Sequence, residues 1–171
     1  MFRVLQPDEI DCRVAQVKEN GVSLLLYKTA RVDANLLDET VGNENWECDF
    51  KVINDNLYGG IGIKFGDEWV WKWDCGTESN TEKEKGEASD SFKRAGFKWG
   101  IGRELYSAPF IWIGADKCRI NGNRCMDKFH VEAIKYDDKR NIEALSIKNQ
   151  DGKRVYLMNK VLSNEKQDNK T

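Results

Sequence analysis

Glu87-Ala-Ser-Asp-Ser-Phe-Lys-Arg-Ala-Gly-Phe-Lys-Trp-Gly-Ile-Gly-Arg-Glu-Leu-Tyr106 decides how the rest of this sequence is read. It lacks proline, and its apolar residues Ala88, Phe92, Ala95 and Trp99 recur at spacings of four, three and four. That is the stripe of a helix burying one face. Asp90, Arg94 and Lys98 fall on a different face, and Lys93 lies beyond the stripe. From Ser91 to Arg103 there are four bases (Lys93, Arg94, Lys98, Arg103) and no acid, in a chain of net charge -2. The plain account is a solvated face with an Asp90–Arg94 ion pair at i, i+4. Gly96, Gly100 and Gly102 add a second signal. Glycine costs about 1 kcal/mol against alanine within a helix, so the run implies close approach by another helix or by a bound chain.

Around this stretch, 171 residues with 40% hydrophobic and 33% charged content describe one soluble globular domain. We expect the domain over 1–162, with a core at 5–113 and C-terminal strands at 129–158, and a disordered polar tail at 163–171. No apolar run approaches the roughly 18 residues of a membrane span, and Met1-Phe-Arg-Val-Leu-Gln-Pro-Asp8 lacks a signal peptide's apolar region. Five scattered cysteines (Cys12, Cys48, Cys75, Cys118, Cys125) then read as reduced thiols of a cytoplasmic protein. A pI near 5.6 requires any nucleic-acid binding to come from a segregated basic surface.

Before the central stretch, Pro7 to Val17 reads as a short helix, with acids in its first turn and Ile10, Val14 and Val17 on one face. Val22–Tyr27 is a strand, and Ala30–Val41 an amphipathic helix capped by Gly42. Three strands follow, Trp46–Ile53, Leu57–Phe65 and Trp69–Trp73, turned at Asn54-Asp55-Asn56 and at Gly66-Asp67-Glu68. A three-residue second turn would set Ile63 opposite Trp71 and bury Trp69, Trp71 and Trp73 with the isoleucines. Lys64 and Lys72 would then share the other face with Gly60 and Gly62, a flat basic surface suited to solvent or phosphate. Cys75 to Lys85 is a polar loop. Beyond the central stretch, Ser107 to Ile113 is extended, Asp116 to Lys128 is a basic loop turned at Asn121-Gly122, and Phe129–Tyr136, Ile142–Lys148 and Arg154–Met158 form a meander. The class is α+β: an antiparallel sheet of three to four strands on a long central helix, with a C-terminal β-meander.

Catalytic chemistry is not visible. His130 is the only histidine, so a Ser-His-Asp arrangement has no support. Cys118 and Cys125 lack a second ligand pair for zinc. No Gly-rich loop ends in Gly-Lys-Ser/Thr. We expect no enzyme, no cofactor and no metal.

Two fragments resemble one family. Tyr27-Lys-Thr-Ala-Arg-Val-Asp-Ala-Asn-Leu-Leu-Asp-Glu-Thr-Val-Gly-Asn-Glu-Asn-Trp46 resembles the strand–helix start of the Rad-fifty-two family. Ala88-Ser-Asp-Ser-Phe-Lys-Arg-Ala95, followed by aromatic-Gly-x-Gly, is similar to its central helix, and Lys98 to Phe110 is nearer the bacteriophage Sak-type annealing proteins. The resemblance covers roughly residues 5–113. It implies a ring-forming fold and a groove that holds single-stranded DNA, bases outward, for annealing without ATP or metal in homologous recombination and repair. It also implies a phage gene product in the host cytoplasm. The partners implied are single-stranded DNA, further copies of the chain, and a single-strand-binding protein or recombination nuclease. Arg31, Lys93 and Arg94 match groove-lining bases of that family. Where its eukaryotic members carry a third arginine this chain has Phe97, with Lys98 one residue later and about 100° round the helix. Lys64, Lys72 and Lys85 join the set from charge and face alone. Two rivals stand beside this reading: a single-strand DNA or RNA module stacking bases on Trp69, Trp71 and Trp73, and a self-assembling structural protein that pairs Lys93 and Arg94 with acids across subunits.

Overall fold

The computed structural model describes residues 1–77 and 83–160, with only the backbone of 83–85. In chain order its strands and helices begin β1 (Asp11–Lys18), β2 (Gly21–Tyr27), α1 (Ala30–Val41), β3 (Trp46–Ile53), β4 (Asn56–Phe65), β5 (Glu68–Cys75) and α2 (Lys83–Trp99). They continue β6 (Ile111–Gly114), β7 (Ile120–Asn121), β8 (Arg124–Cys125), β9 (Phe129–Tyr136), β10 (Ile142–Asn149) and β11 (Arg154–Asn159). The class is α+β with antiparallel sheets. Two units divide the chain: Met1–Val4 with Lys28–Arg103, and Leu5–Tyr27 with the chain from Glu104 onward.

In the first unit β3, β4 and β5 form one antiparallel sheet, and α2 lies against β4 and β5. Its apolar stripe works as its spacing demands: Phe92 and Ala95 are buried, with Ile61 and Ile63 of the sheet buried likewise. Trp99 donates its indole N–H to the Ile61 carbonyl at 2.9 Å. The register differs from expectation by one residue. Gly66 and Asp67 alone make the turn, so Phe65 pairs with Glu68, Ile63 with Val70 and Gly62 with Trp71. Glycine at the first central position, at φ 61°, suits a two-residue hairpin turn. A slip of one residue moves every side chain of a strand to the other face. Trp69, Trp71 and Trp73 therefore leave the core and share the outer face with Gly60, Gly62 and Lys64, whereas Lys72 turns toward α2.

The second unit is a six-stranded sheet in the order β11-β10-β9-β1-β2-β6. Its edge strands β11 and β6 touch, so it curls close to a barrel around Val22, Leu24, Ile113, Val131, Leu145 and Ile147. The meander β9–β11 forms where expected, but it belongs to this larger sheet through the Asp11–His130 pair. The helix expected over Pro7 to Val17 is a 3-10 turn (Pro7–Glu9) followed by β1. A bulge between Val14 and Gln16 explains the misreading. One extra residue stretches the inward spacing from two to three, which imitates a helical repeat. The basic loop contains the short hairpin β7–β8. The expected tail 163–171 and most of the loop before α2 lie outside the described residues.

Candidate nucleic-acid interface

The bases of α2 separate onto two flanks. On the β5 flank, Asp90 does not pair with Arg94. It accepts instead from the Thr77 main-chain N–H at 3.0 Å and hydroxyl at 3.1 Å. Arg94 turns to Asp74 of β5, Nε to Oδ1 at 3.6 Å. Lys98 reaches the same carboxylate at 3.8 Å and donates to the Trp73 carbonyl. Lys72 donates to the Lys98 carbonyl at 3.2 Å, its ammonium 4.2 Å from the Trp99 ring centre. Arg103 closes the group by donating to the carbonyls of Phe97 and Lys98, both at 2.7 Å. Cations suit a helix C-terminus, where unpaired carbonyls carry partial negative charge. Arg94, Lys98, Lys72 and Arg103 thus make a basic edge in which the first two share the Asp74 carboxylate and the other two hold main-chain carbonyls.

The other flank meets α1. Asp33 has no solvent exposure, and both its oxygens lie 2.6 Å from Lys28 Nζ. Burial pushes its carboxyl up to about 6, although the charges of Lys28 and Lys93 pull it down. The approach is close because residue 96 is glycine: a β-carbon there would collide with the Asp33 carboxylate. The glycine signal in the sequence thus marks another helix at Gly96. Lys93, half-buried, belongs to this flank and not with its neighbour Arg94.

The remaining candidates lie elsewhere. Arg31 is exposed in the first turn of α1 and makes no salt bridge among the described residues. Lys64 is exposed opposite Trp69 on the outer sheet face. Lys85 lies in the first turn of α2, with its side chain outside the description. Sequence reasoning left Arg103 out of the site and missed Asp74 and the buried Lys28–Asp33 pair. Arg103 had a signal, since it follows the glycines that end α2. Asp74 had none, because its partners are 20 or more residues away in the chain.

On the outer face, the indoles of Trp71 and Trp73 stack with ring centres 5.3 Å apart. They lie flat on the strand beneath, where a β-carbon at Gly60 or Gly62 would come within 2.5 or 2.6 Å of a ring. Lys51 sits 4.1 Å over Trp73, and Glu47 and Asp49 of β3 face the same way. Among the described residues no three His, Cys, Asp or Glu side chains are grouped to hold a metal ion, and no helix is long and apolar enough to cross a membrane. No protein family, characterised protein or solved structure gives a significant match to the chain.

Proposed function

We propose that this protein binds single-stranded DNA and anneals complementary strands, as a ring-forming member of the Rad-fifty-two family working in phage recombination without ATP or metal. One observation carries the reading. Arg94, Lys98, Lys72 and Arg103 converge on one edge of α2, held by Asp74 and by main-chain carbonyls. Annealing needs the phosphates gripped and the Watson–Crick edges free, so charges that meet the backbone without reading bases are the appropriate contacts. Arg31, exposed on α1, extends the set by resemblance. Assembly into a ring would repeat this edge into a continuous belt and reconcile it with the acidic pI.

A second reading, stacking without annealing on Trp69, Trp71 and Trp73, gains support from the register that takes these residues out of the core. Glu47 and Asp49 on that face offset Lys51 and Lys64, so it offers the phosphates that accompany every base no net attraction. The structural-assembly reading has less to draw on, because Arg94 and Lys93 already face Asp74 and Asp33 of their own chain.

The test is fluorescence anisotropy of a labelled 30-nucleotide strand over a salt series, together with an annealing assay on complementary oligonucleotides. The wild type is expected to bind with a steep salt slope and to accelerate annealing. The Arg31→Ala/Arg94→Ala/Lys98→Ala variant, sized to confirm assembly, is expected to do neither. Equal binding by both proteins, or by neither, overturns the proposal.

A further inference from the structure

The second unit carries an aromatic surface of its own, on strands far apart in sequence. In the β1–β2–β6 register, Arg13 pairs with Leu25, Asp11 with Tyr27 and Ser23 with Trp112. Paired residues share a face, and alternate residues on a strand share it too. Leu25, Tyr27, Trp112 and Arg13 therefore point to the outside of the curled sheet, away from the buried Val22, Leu24, Ile111 and Ile113. Lys18, paired with Gly21, joins them. Phe110, just before β6, stacks on Trp112 with ring centres 6.2 Å apart and planes at 18°.

This is an unusual outer surface. Phe110 is 76% exposed, Leu25 50% and Tyr27 40%. Exposed apolar groups gathered in one place mark interaction sites. Trp112 lies flat because residue 21 is glycine, where a β-carbon would come within 2.7 Å of the indole. On this face Arg13 and Lys18 stand with Asp11 of β1 and with Asp116, whose carboxylate lies over Gly114 at the end of β6, and neither base forms a salt bridge among the described residues.

We propose that the outer face of β1, β2 and β6 is a stacking platform for unpaired nucleobases, with Phe110, Trp112 and Tyr27 against the bases and Arg13 and Lys18 against the flanking phosphates. The inference rests on the single-strand-binding reading and adds to it a means of holding bases. Aromatic rings at alternate positions on neighbouring strands are how sheet surfaces stack successive bases of an unpaired strand. Stacking engages the π-face of a base and leaves its Watson–Crick edge open, the condition that annealing imposes. Because every base has such a face, the platform needs no sequence preference.

The experiment compares a labelled 30-nucleotide oligothymidylate with an abasic strand of the same length and charge, against the wild type and Phe110→Ala. Phe110 is so exposed that its truncation spares the fold, which circular dichroism and sizing will check. The wild type is expected to bind oligothymidylate about tenfold more tightly than the abasic strand, and Phe110→Ala to lose most of that preference. Tyr27→Leu, which keeps apolar bulk, is expected to lose part of it. Equal binding of both strands by the wild type overturns the platform while backbone binding stands. Binding of neither strand overturns both readings. A preference that survives in Phe110→Ala places the stacking elsewhere and overturns the assignment. So does an assembly that falls apart on this substitution, since the face would then join copies of the chain.

Discussion

On the α1 flank of α2, Lys93 lies beside a carboxylate with no solvent exposure, already gripped by Lys28 at 2.6 Å. On the β5 flank, Arg94 and Lys98 reach Asp74 at 3.6 and 3.8 Å with roughly half of each side chain in water. Two bases adjacent in sequence thus enter opposite regimes, because one residue turns the helix by about 100°. A buried ion pair is costly to break, since its surviving partner is left as an unpaired charge in a poor solvent. An exposed pair contributes about 0–1 kcal/mol and exchanges partners cheaply. The difference is one of exchange: the α1 flank is built to stay shut, and the β5 flank holds cations whose ion pairs break cheaply, as the proposed binding requires.

The largest expected effect breaks the shut flank. Asp33→Ala removes both oxygens that accept from the buried Lys28 ammonium and should cost about 3–5 kcal/mol, read as a lower urea midpoint at unchanged m. Asp74→Ala should cost under about 1 kcal/mol. Equal losses would erase the distinction. Next comes the pH dependence. The folded chain holds the Asp33 proton more tightly than the unfolded chain, about 6 against 3.8. Stability from this group is therefore present below about 4 and lost as pH rises through about 6. Urea unfolding from pH 4 to 7 should show this fall in the wild type and its absence in Asp33→Asn; matching profiles would refute it.

Most of this architecture is legible in the sequence wherever one short-range rule decides the outcome. The spacing of Ala88, Phe92, Ala95 and Trp99 gives α2, Gly42 ends α1, and strand–turn alternation gives β3 to β5 and the meander. It fails where one residue more or less changes the outcome. The bulge at Val14 turns a strand into an apparent helix, and a turn of two residues in place of three moves three tryptophans from core to surface. It fails again where the partner is remote. Asp33 reads as an ordinary first-turn acid until Gly96 brings α2 onto it, and Asp90 is the local choice for Arg94 until β5 supplies Asp74. The candidate site was half legible for that reason: charge and helical face are local properties, but which cation faces which carboxylate is a property of the packed unit.

A smaller effect separates Lys93 from Arg94 in binding. Each phosphate contact on a single strand contributes about -0.7 to the salt slope. Arg94→Ala should therefore flatten the slope by about 0.7 with a stability change under about 1 kcal/mol. Lys93→Ala should leave the slope unchanged. A flattened slope for Lys93→Ala would place both bases in one groove and dissolve the comparison between the flanks.

The smallest effect runs in the opposite direction. Asp74 is the carboxylate that Arg94 and Lys98 share, and on the proposed binding reading a phosphate competes with it for both. Replacing it by asparagine removes a charge that competes for both cations and keeps a hydrogen-bond acceptor of similar size. If Asp74 acts as a competitor, Asp74→Asn should bind a single strand about two- to fivefold more tightly at low salt, with the gain shrinking as screening rises. If it acts instead as a splint that aims Arg94 and Lys98 at the strand, the same substitution should weaken binding at every salt concentration. The long contacts favour the competitor, because a splint of fixed geometry requires charged hydrogen bonds near 2.7–2.9 Å, and neither cation comes that close to Asp74.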